Sequence, residues 1–489
     1  MQVSHVSATS EDGFQLSSGS SYGPRPCLVR FPFSAEWMAM NQRPRRLTAL
    51  ALCCALWITS GCSGPAADEQ AGPQQGESLS TPAAPRDATA NEAVAEAADS
   101  KSNDDSSEAA APYHNPLSAE EIAEGWISLF DGHTLFGWEA NNDEVNWRVA
   151  DGAITADEGP AGLLNTTSPF ADFELVCEFR MEAGGNSGVF LRTVAHPTDP
   201  STDCYELNIA DEHPDGFTTG AIVAHAKTDE PIAGSGDWKT FRIRAEGNHI
   251  VVELDGTEVL DYTDDSAARA AGRIGLQKNE GRIEFRKVIV RPLGLTDLFN
   301  GEDLTGWRVV PGSKSEFTVE DGVIRVVDGA GFLETEQTFG DFIFQAEAIT
   351  HGDALNSGYF FRALEGTENA PSHGYEVQIH NGYLNNDRTQ PANAGTGAIF
   401  RRNEARRVVS NDHEWFTTTL IAAGNHIAVW VDGYQVTDWN DEREPDENPR
   451  QGRRDEAGHI SLQGHDPTTD LSFRNLRAVE LPESAVSAE

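Results

Sequence analysis

The stretch GNSGVFLR, at residues 185–192, returns as LNSGYFFR at residues 355–362. Its neighbours repeat in the same order: LFDGHTLFGW with LFNGEDLTGW, CYELNI with GYEVQI, GNHIVVELDG with GNHIAVWVDG, and GRIGLQ with GHISLQ. A solenoid would show a much shorter period and more copies. The sequence therefore predicts two copies of one domain, the first at 120–293 and the second at 294–482.

Each copy is a series of short alternating segments separated by Gly, Asp and Asn turns, a pattern typical of β-strands. The segment FELVCEF places four apolar side chains on one face, namely Phe173, Leu175, Cys177 and Phe179. A hairpin is predicted where Asp255-Gly256 supplies turn residues that tolerate positive φ. The second copy carries loop insertions near 385–393 and 442–453. We expect an all-β protein made of two tandem β-sandwiches.

The charge of the chain limits its partners. Of 489 residues, 78 are Asp or Glu and 36 are Lys or Arg, so the formal net charge is −42. A surface this negative repels phosphate backbones. We therefore expect no nucleic acid partner and no direct binding to an anionic membrane.

The first 62 residues predict an exported protein. Arg43, Arg45 and Arg46 precede the short apolar run LTALALCCALWI, and TSGC then ends at Cys62. The run is too short to span a bilayer, and the order resembles a bacterial lipoprotein signal. We interpret 1–62 as a mis-assigned start followed by a signal peptide. The mature protein would carry lipid on Cys62 and sit in the cell envelope, in the periplasm or at the outer membrane.

Residues 63–119 contain hardly any large apolar side chain, so we expect a disordered acidic linker. Of the six cysteines, Cys177 and Cys204 fall in the first copy, where the second copy has Ala346 and Gly374. In an exported protein, a pair lost together predicts a disulfide.

The ordered motifs resemble the bacterial 3-keto-disaccharide hydrolase family, whose domain is also described as a 3-keto-glucoside 1,2-lyase and 3-keto-2-hydroxy-glucal hydratase. They are GW.SLFDG.TL.GW, W.V.DG.I, DFEL..EFR, GNSG.FLR, YE..I, TGA, GNHI.V..DG and IGLQ...IEFR. The set occurs twice, and the two sets together cover Gly125 to Leu481. The resemblance implies concanavalin-like jelly-roll sandwiches. It also implies exported glycan metabolism with an oligosaccharide or 3-keto-glycoside substrate.

Such chemistry sets requirements for the site. A ketone at C3 makes the C2 proton acidic, so a positioned base can remove it while the C1 substituent leaves. Hydration is the reverse of such an elimination and adds water across the double bond. Elimination followed by hydration amounts to hydrolysis. The site needs a carboxylate or histidine base and a cation or amide to hold the enolate oxygen.

Strand alternation groups the candidate residues. We predict Glu376 and Glu206 as the catalytic bases, one in each copy. Predicted substrate-binding residues are Arg362, Asn356, Gln378, His380 and Glu347 in the second copy and Arg192, Asn186, Asn208 and Glu178 in the first. The alternative for the arginines is an ion pair with a neighbouring glutamate, and for Asn-Ser-Gly a bulge or close strand approach.

Several alternatives stay open. No cofactor is predicted, but a divalent cation held by His380 with Glu376 is conceivable, although no His-x-His or paired-Cys spacing accompanies them. A lectin-like carbohydrate-binding lipoprotein without catalysis, or a scaffold lipoprotein, would fit the same fold. The second copy keeps GYEVQIH, which favours it as the working site. Lyase, hydratase and hydrolase activities are not distinguished.

Overall fold

The computed structural model describes residues 115–266 and 269–488. The predicted signal peptide, the lipidated Cys62 and the predicted linker up to residue 114 lie outside the described residues. The described part begins with Asn115, ahead of a short helix α1 (Ala119–Ala123) that Ser118 and Glu121 cap reciprocally. None of the helices in that part is long and apolar enough to cross a membrane.

The first copy folds into two antiparallel sheets. An eight-stranded sheet has the order β11-β10-β9-β6-β13-β4-β3, with β1 also paired to β13, and a five-stranded sheet has the order β2-β5-β12-β7-β8. The strands are β1 (Ile127–Ser128), β2 (Trp138–Ala140), β3 (Arg148–Ala150), β4 (Ala153–Ala156), β5 (Gly162–Thr166), β6 (Phe173–Met181), β7 (Asn186–Thr193), β8 (Tyr205–Ala210), β9 (Lys239–Glu246), β10 (His249–Leu254), β11 (Thr257–Thr263), β12 (Arg273–Glu280) and β13 (Ile283–Pro292).

The second copy repeats this architecture. Its eight-stranded sheet has the order β16-β17-β26-β19-β22-β23-β24, with β14 paired to β26, and its five-stranded sheet has the order β15-β18-β25-β20-β21. The strands are β14 (Thr296–Asp297), β15 (Trp307–Val309), β16 (Glu316–Glu320), β17 (Val323–Val327), β18 (Gly331–Phe339), β19 (Phe342–Thr350), β20 (Ser357–Leu364), β21 (His373–Ile379), β22 (Phe416–Ala423), β23 (His426–Val431), β24 (Tyr434–Asn440), β25 (Gly458–Gly464) and β26 (Asp470–Glu480), and a 3-10 helix follows at Glu483–Ala488.

The alternation predicted from the sequence builds the core. Phe173, Leu175, Cys177 and Phe179 are all fully buried between the two sheets of the first copy. The hairpin predicted at Asp255-Gly256 joins β10 to β11. The expected all-β fold is confirmed, and each copy is a sandwich of two antiparallel sheets.

The two sandwiches touch through specific hydrogen bonds. The backbone N–H of Ser128 donates to the carbonyl of Gly433 at 2.8 Å, and the Trp430 indole donates to the carbonyl of Ser128 at 2.9 Å. An ion pair at 3.0 Å links Arg406 of the second sandwich to Asp131 of the first. Their five-stranded sheets each leave an outer face away from the core, where the predicted glutamates lie.

Candidate functional site on the outer face of the five-stranded sheets

The two predicted bases occupy equivalent places. Strands β8 and β21 form one edge of their five-stranded sheets, with Glu206 opposite Phe190 and Glu376 opposite Phe360. Tyr205 on β8 points into the core, so the alternation of the strand turns its neighbour Glu206 to the outer face. The same argument holds for β21.

The Asn-Ser-Gly motif makes room beside each glutamate. A Cβ on Gly188 would lie 3.5 Å from the Glu206 side chain, and one on Gly358 would lie 3.1 Å from that of Glu376. The motif serine is structural, since Ser187 Oγ donates to the carbonyl of Gln277 at 2.6 Å. The serine and glycine of this motif therefore allow neighbouring strands to approach closely, which is the alternative interpretation given for it.

Glu206 is almost completely enclosed. Its side chain is 4% exposed, and burial raises its pKa to about 7. The amide of Gln277, on β12 of the same sheet, donates to Glu206 Oε1 at 3.2 Å, which favours the charged form but does not offset desolvation. A carboxylic acid with a pKa this close to neutrality can both accept and return a proton at pH 7.

Glu376 is also buried, yet it has a cationic neighbour. Burial raises its pKa, while Arg450, His465 and Arg401 act in the opposite direction. The guanidinium of Arg450 lies 3.4 Å from Glu376 Oε2. A cavity of about 60 Å³ opens beside this carboxyl, lined by Gly374, Tyr375, Glu376, Ile399, Phe400, Arg401, Arg402, Pro449 and Arg450.

Amide side chains flank each glutamate, and some of their acceptor oxygens are unpaired. Their buried oxygens lack a hydrogen-bond partner among the described residues: Asn208 Oδ1 and Gln277 Oε1 in the first copy, and Gln378 Oε1 and Gln463 Oε1 in the second. A buried acceptor left unpaired is costly. Each face therefore offers two oxygens that could accept hydrogen bonds from ligand hydroxyl groups.

A hydrogen-bonded chain extends this face in the second copy. The amide of Gln378 donates to Asn356 Oδ1 at 2.8 Å, and Asn356 Nδ2 lies 2.9 Å from His465 Nε2. The other ring nitrogen of His465, Nδ1, lies 2.9 Å from Asp466. Two predicted residues, Asn356 and Gln378, thus belong to one hydrogen-bonded network on the side of the sheet that carries Glu376.

The predicted arginines do not reach this face. Arg192 and Arg362 are 1% and 0% exposed and adopt positive φ angles of 51° and 46°. A break in strand register at this point turns each side chain inward. Arg362 donates to the carbonyls of Gly340, Gly424 and Arg454 and pairs with Asp341 at 2.8 Å, and Arg192 makes the equivalent set. Both arginines connect loops to the sandwich. Their predicted role in substrate binding is therefore corrected to a structural one.

Glu178 and Glu347 also lie elsewhere. They belong to β6 and β19 of the eight-stranded sheets, where Glu178 pairs with Arg286 at 2.6 Å and Glu347 with Arg474 at 2.7 Å. The sequence could not tell which of two sheets a strand joins. Both glutamates form ion pairs with an arginine of the neighbouring strand, so their predicted role in substrate binding is corrected.

The predicted disulfide is absent from the structure. Cys177 and Cys204 are both free and buried. Cys177 points into the core from the eight-stranded sheet, whereas Cys204 packs against Leu163 and Phe190 on the outer face of the other sheet. Because a layer of core side chains separates the two faces, these thiols do not face each other.

His380 and Asn186 lie at the ends of their strands. His380 follows β21, and its Nδ1 is buried with no hydrogen-bond partner in the part of the chain that the structure describes. Burial lowers the pKa of His380. Asn186 begins β7 opposite Ala210. Within residues 115–266 and 269–488, no group of three or more His, Cys, Asp or Glu side chains could hold a metal ion.

Sequence reasoning missed four residues around the glutamates. Gln277 and Gln463 end the repeated motifs GRIGLQ and GHISLQ, so the repeat itself could have pointed to them. Arg450 has no counterpart in the first copy, and Asn279 stands there in the place of His465, two residues after the shared motif. Arg450 lies in the predicted insertion at 442–453, and its approach to Glu376 depends on a loop path that no local pattern encodes.

Comparisons with known proteins agree with the repeat. A family profile described as a 3-keto-alpha-glucoside-1,2-lyase-like domain matches residues 125–291 and 294–478. A 3-keto-disaccharide hydrolase from Bacteroides thetaiotaomicron is 30% identical over 174 residues, which are 29% of this chain and 59% of that protein. The chain therefore spans less than two thirds of that relative.

Solved structures resemble one sandwich at a time. A candidate glycosyl hydrolase from Parabacteroides distasonis is 27% identical, with 34% of this chain and 99% of that chain covered at a TM-score of 0.29. The carbohydrate binding module CBM66 from Bacillus subtilis is 18% identical, with 32% and 95% covered at a TM-score of 0.26.

Proposed function

The chain belongs to the 3-keto-alpha-glucoside-1,2-lyase-like family, and we propose that it cleaves 3-keto glycosides with Glu376 and Glu206 as general bases. One observation carries the proposal. Each copy places a buried glutamate with a raised pKa on the outer face of its five-stranded sheet, between amides that have free acceptor oxygens.

Proton transfer at C2 would start the reaction. The glutamate takes the C2 proton, and the electron pair moves toward the C3 ketone to give an enolate. The enolate then re-forms the C3 carbonyl as a C1–C2 double bond forms and the C1–O bond breaks, and the departing oxygen takes the proton back from the glutamic acid to leave as an alcohol. Water then adds across the resulting double bond, so elimination and hydration together give hydrolysis. An ordinary glucoside with a C3 hydroxyl has no acidified C2 proton and should be inert.

Neighbouring groups suit the other roles. In the second copy, the Arg450 guanidinium beside Glu376 could hold the enolate oxygen, because charged donors stabilise developing negative charge. Gln277 is the corresponding donor in the first copy. The free oxygens of Gln378 and Gln463 would accept hydrogen bonds from sugar hydroxyls and orient the ring beside Glu376.

Paired substrates test this proposal. Purified protein is incubated with a glucoside and its 3-keto form, with and without a chelator, and turnover is compared for wild type, Glu376→Gln, Glu206→Gln and the double variant. Loss of a general base typically lowers the rate by about 100- to 10,000-fold. Glu258→Gln, at an exposed position of β11, is the matched control.

The outcomes separate the alternatives. Full activity in the double variant would exclude both glutamates as bases, and loss of activity with chelator would point to a bound cation. Glycan binding by the wild type without turnover of any 3-keto substrate would favour the lectin-like function.

We also propose that the protein is exported and anchored by lipid on Cys62. The support is the order of the basic region, the short apolar run and the cysteine in the sequence. The membrane would then be contacted through the anchor, leaving the sandwiches to meet glycans outside the cytoplasm.

A further inference from the structure

The two glutamate sites differ in charge at equivalent positions. After the shared TGAI motif, the first copy continues with Val223, Ala224 and His225, whereas the second continues with Phe400, Arg401 and Arg402. Ala224 and Arg401 have φ angles of 65° and 62°, and both turns are closed by an isolated bridge of the preceding isoleucine. The backbone is therefore the same, and the side chains differ.

A longer loop adds a third arginine to the second copy. Between β11 and β12 the first copy needs only residues 264–272, whereas between β24 and β25 the second copy uses 441–457. This longer segment brings Pro449 and Arg450 to the wall of the cavity. Three arginines thus line the cavity beside Glu376, and their counterparts in the first copy are Ala224, His225 and no residue at all.

The protein neutralises the positive charge in this cavity only in part, through the ion pair between Arg450 and Glu376. Glu376 is the only carboxylate among the residues that line it. Arg401 and Arg402 form no ion pair with any of the described residues, although Arg402 donates to the carbonyl of Arg450 at 2.5 Å. Arg443 and Arg401 repel the guanidinium of Arg402, while Asp441 attracts it. Arginine side chains thus cluster in this cavity although the chain as a whole has a net charge of −42.

Resting on the proposed function, we infer that the second copy takes a saccharide that carries an anionic substituent, whereas the first copy takes a neutral one. Guanidinium groups bind carboxylates and sulfates through paired, charge-assisted hydrogen bonds. The cavity of about 60 Å³ is too small for a sugar ring but suits one such group, with the ring lying over the outer face of the sheet. A uronate and a sulfate ester share this chemistry.

Binding rather than turnover tests the inference. The full chain carrying Glu206→Gln and Glu376→Gln is titrated with methyl glucoside, methyl glucuronide and glucose 6-sulfate by calorimetry. We expect at least one anionic sugar to bind about 10-fold tighter than the neutral one in low salt, and the preference to shrink as salt is added. The uronide and sulfate arms identify which anion fits.

Variants assign the preference to the cavity. Arg401→Ala with Arg402→Ala should remove it, and because both side chains are exposed the fold should be unaffected. Arg401→Lys with Arg402→Lys should keep part of it through charge alone. Arg286→Ala, on the other sheet of the first copy, removes a charge without touching the cavity and should leave the preference intact.

Two results would overturn the inference: equal binding of neutral and anionic sugars in low salt, or a preference that survives Arg401→Ala with Arg402→Ala. Failure of the proposed reaction is separate, since it would appear as absent turnover by the wild type with the binding preference intact.

Discussion

Replacing Glu206 with glutamine should stabilise the protein, and only above a certain pH. The carboxyl of Glu206 is 4% exposed, and burial raises its pKa from the ordinary 4.5 to about 7. Below pH 4.5 the group is protonated in both the folded and the unfolded chain, so glutamine, a neutral isostere, changes little. Between pH 4.5 and 7 the unfolded chain releases this proton while the folded protein keeps it. Rising pH therefore favours unfolding of the wild type.

The size of the effect follows from the pKa. One pKa unit corresponds to 1.36 kcal/mol, so ionised Glu206 costs the folded protein about 3 kcal/mol at pH 8. Glutamine does not ionise, and its oxygen can still accept the hydrogen bond from Gln277. The free energy of unfolding of Glu206→Gln should thus match the wild type near pH 4.5 and exceed it by about 3 kcal/mol at pH 8.

Urea unfolding at pH 4.5, 6 and 8 measures this difference, with hydrogen exchange of peptides from β7 and β8 reporting on the first sandwich by itself. Glu258→Gln, at an exposed site of the same sandwich, should show no such trend with pH. If Glu206→Gln differs from the wild type by the same amount at all three pH values, or is less stable at pH 8, burial does not control this carboxyl.

Two further predictions concern the arginines and the N-terminus. Arg362→Met and Arg192→Met should each lower the free energy of unfolding by about 3–5 kcal/mol, because Asp341 or Asp172 and several carbonyls lose a buried cationic donor. An unchanged urea midpoint with a raised KM would instead return these residues to substrate binding. For export, mass spectrometry of the native protein should find a lipid-modified N-terminus at Cys62, and a chain that still begins at Met1 would exclude the anchor.

Much of the fold was predictable because strand alternation is local. In FELVCEF the apolar side chains at the alternate positions 173, 175, 177 and 179 predict the buried face, and all four are buried in the structure. The assignment of strands to sheets was not predictable in this way. Glu178 and Glu206 alternate alike in sequence, yet β6 and β8 belong to different sheets, so only one of the two faces the candidate site.

The arginines show a second limit of alternation. Arg192 and Arg362 should point outward by period two, but a register break, with positive φ at each of these arginines, interrupts the period there. A bulge of this kind depends on hydrogen bonds to distant loops, such as the one that carries Gly424. Residues that recur between copies can therefore reflect a folding constraint.

Repetition between the copies separates structural from functional positions once burial is known. Tyr205 and Tyr375 both donate from their hydroxyl groups to a buried aspartate at 2.7 Å, which explains their recurrence by folding alone. Recurrence of Glu206 and Glu376 has no such explanation, because a buried carboxyl with a raised pKa costs stability when it ionises. A side chain that is retained twice against the stability of the fold is best explained by chemistry at that place. The arginines that line the cavity beside Glu376, which the first copy lacks, are then the residues that would give the two sites different ligands.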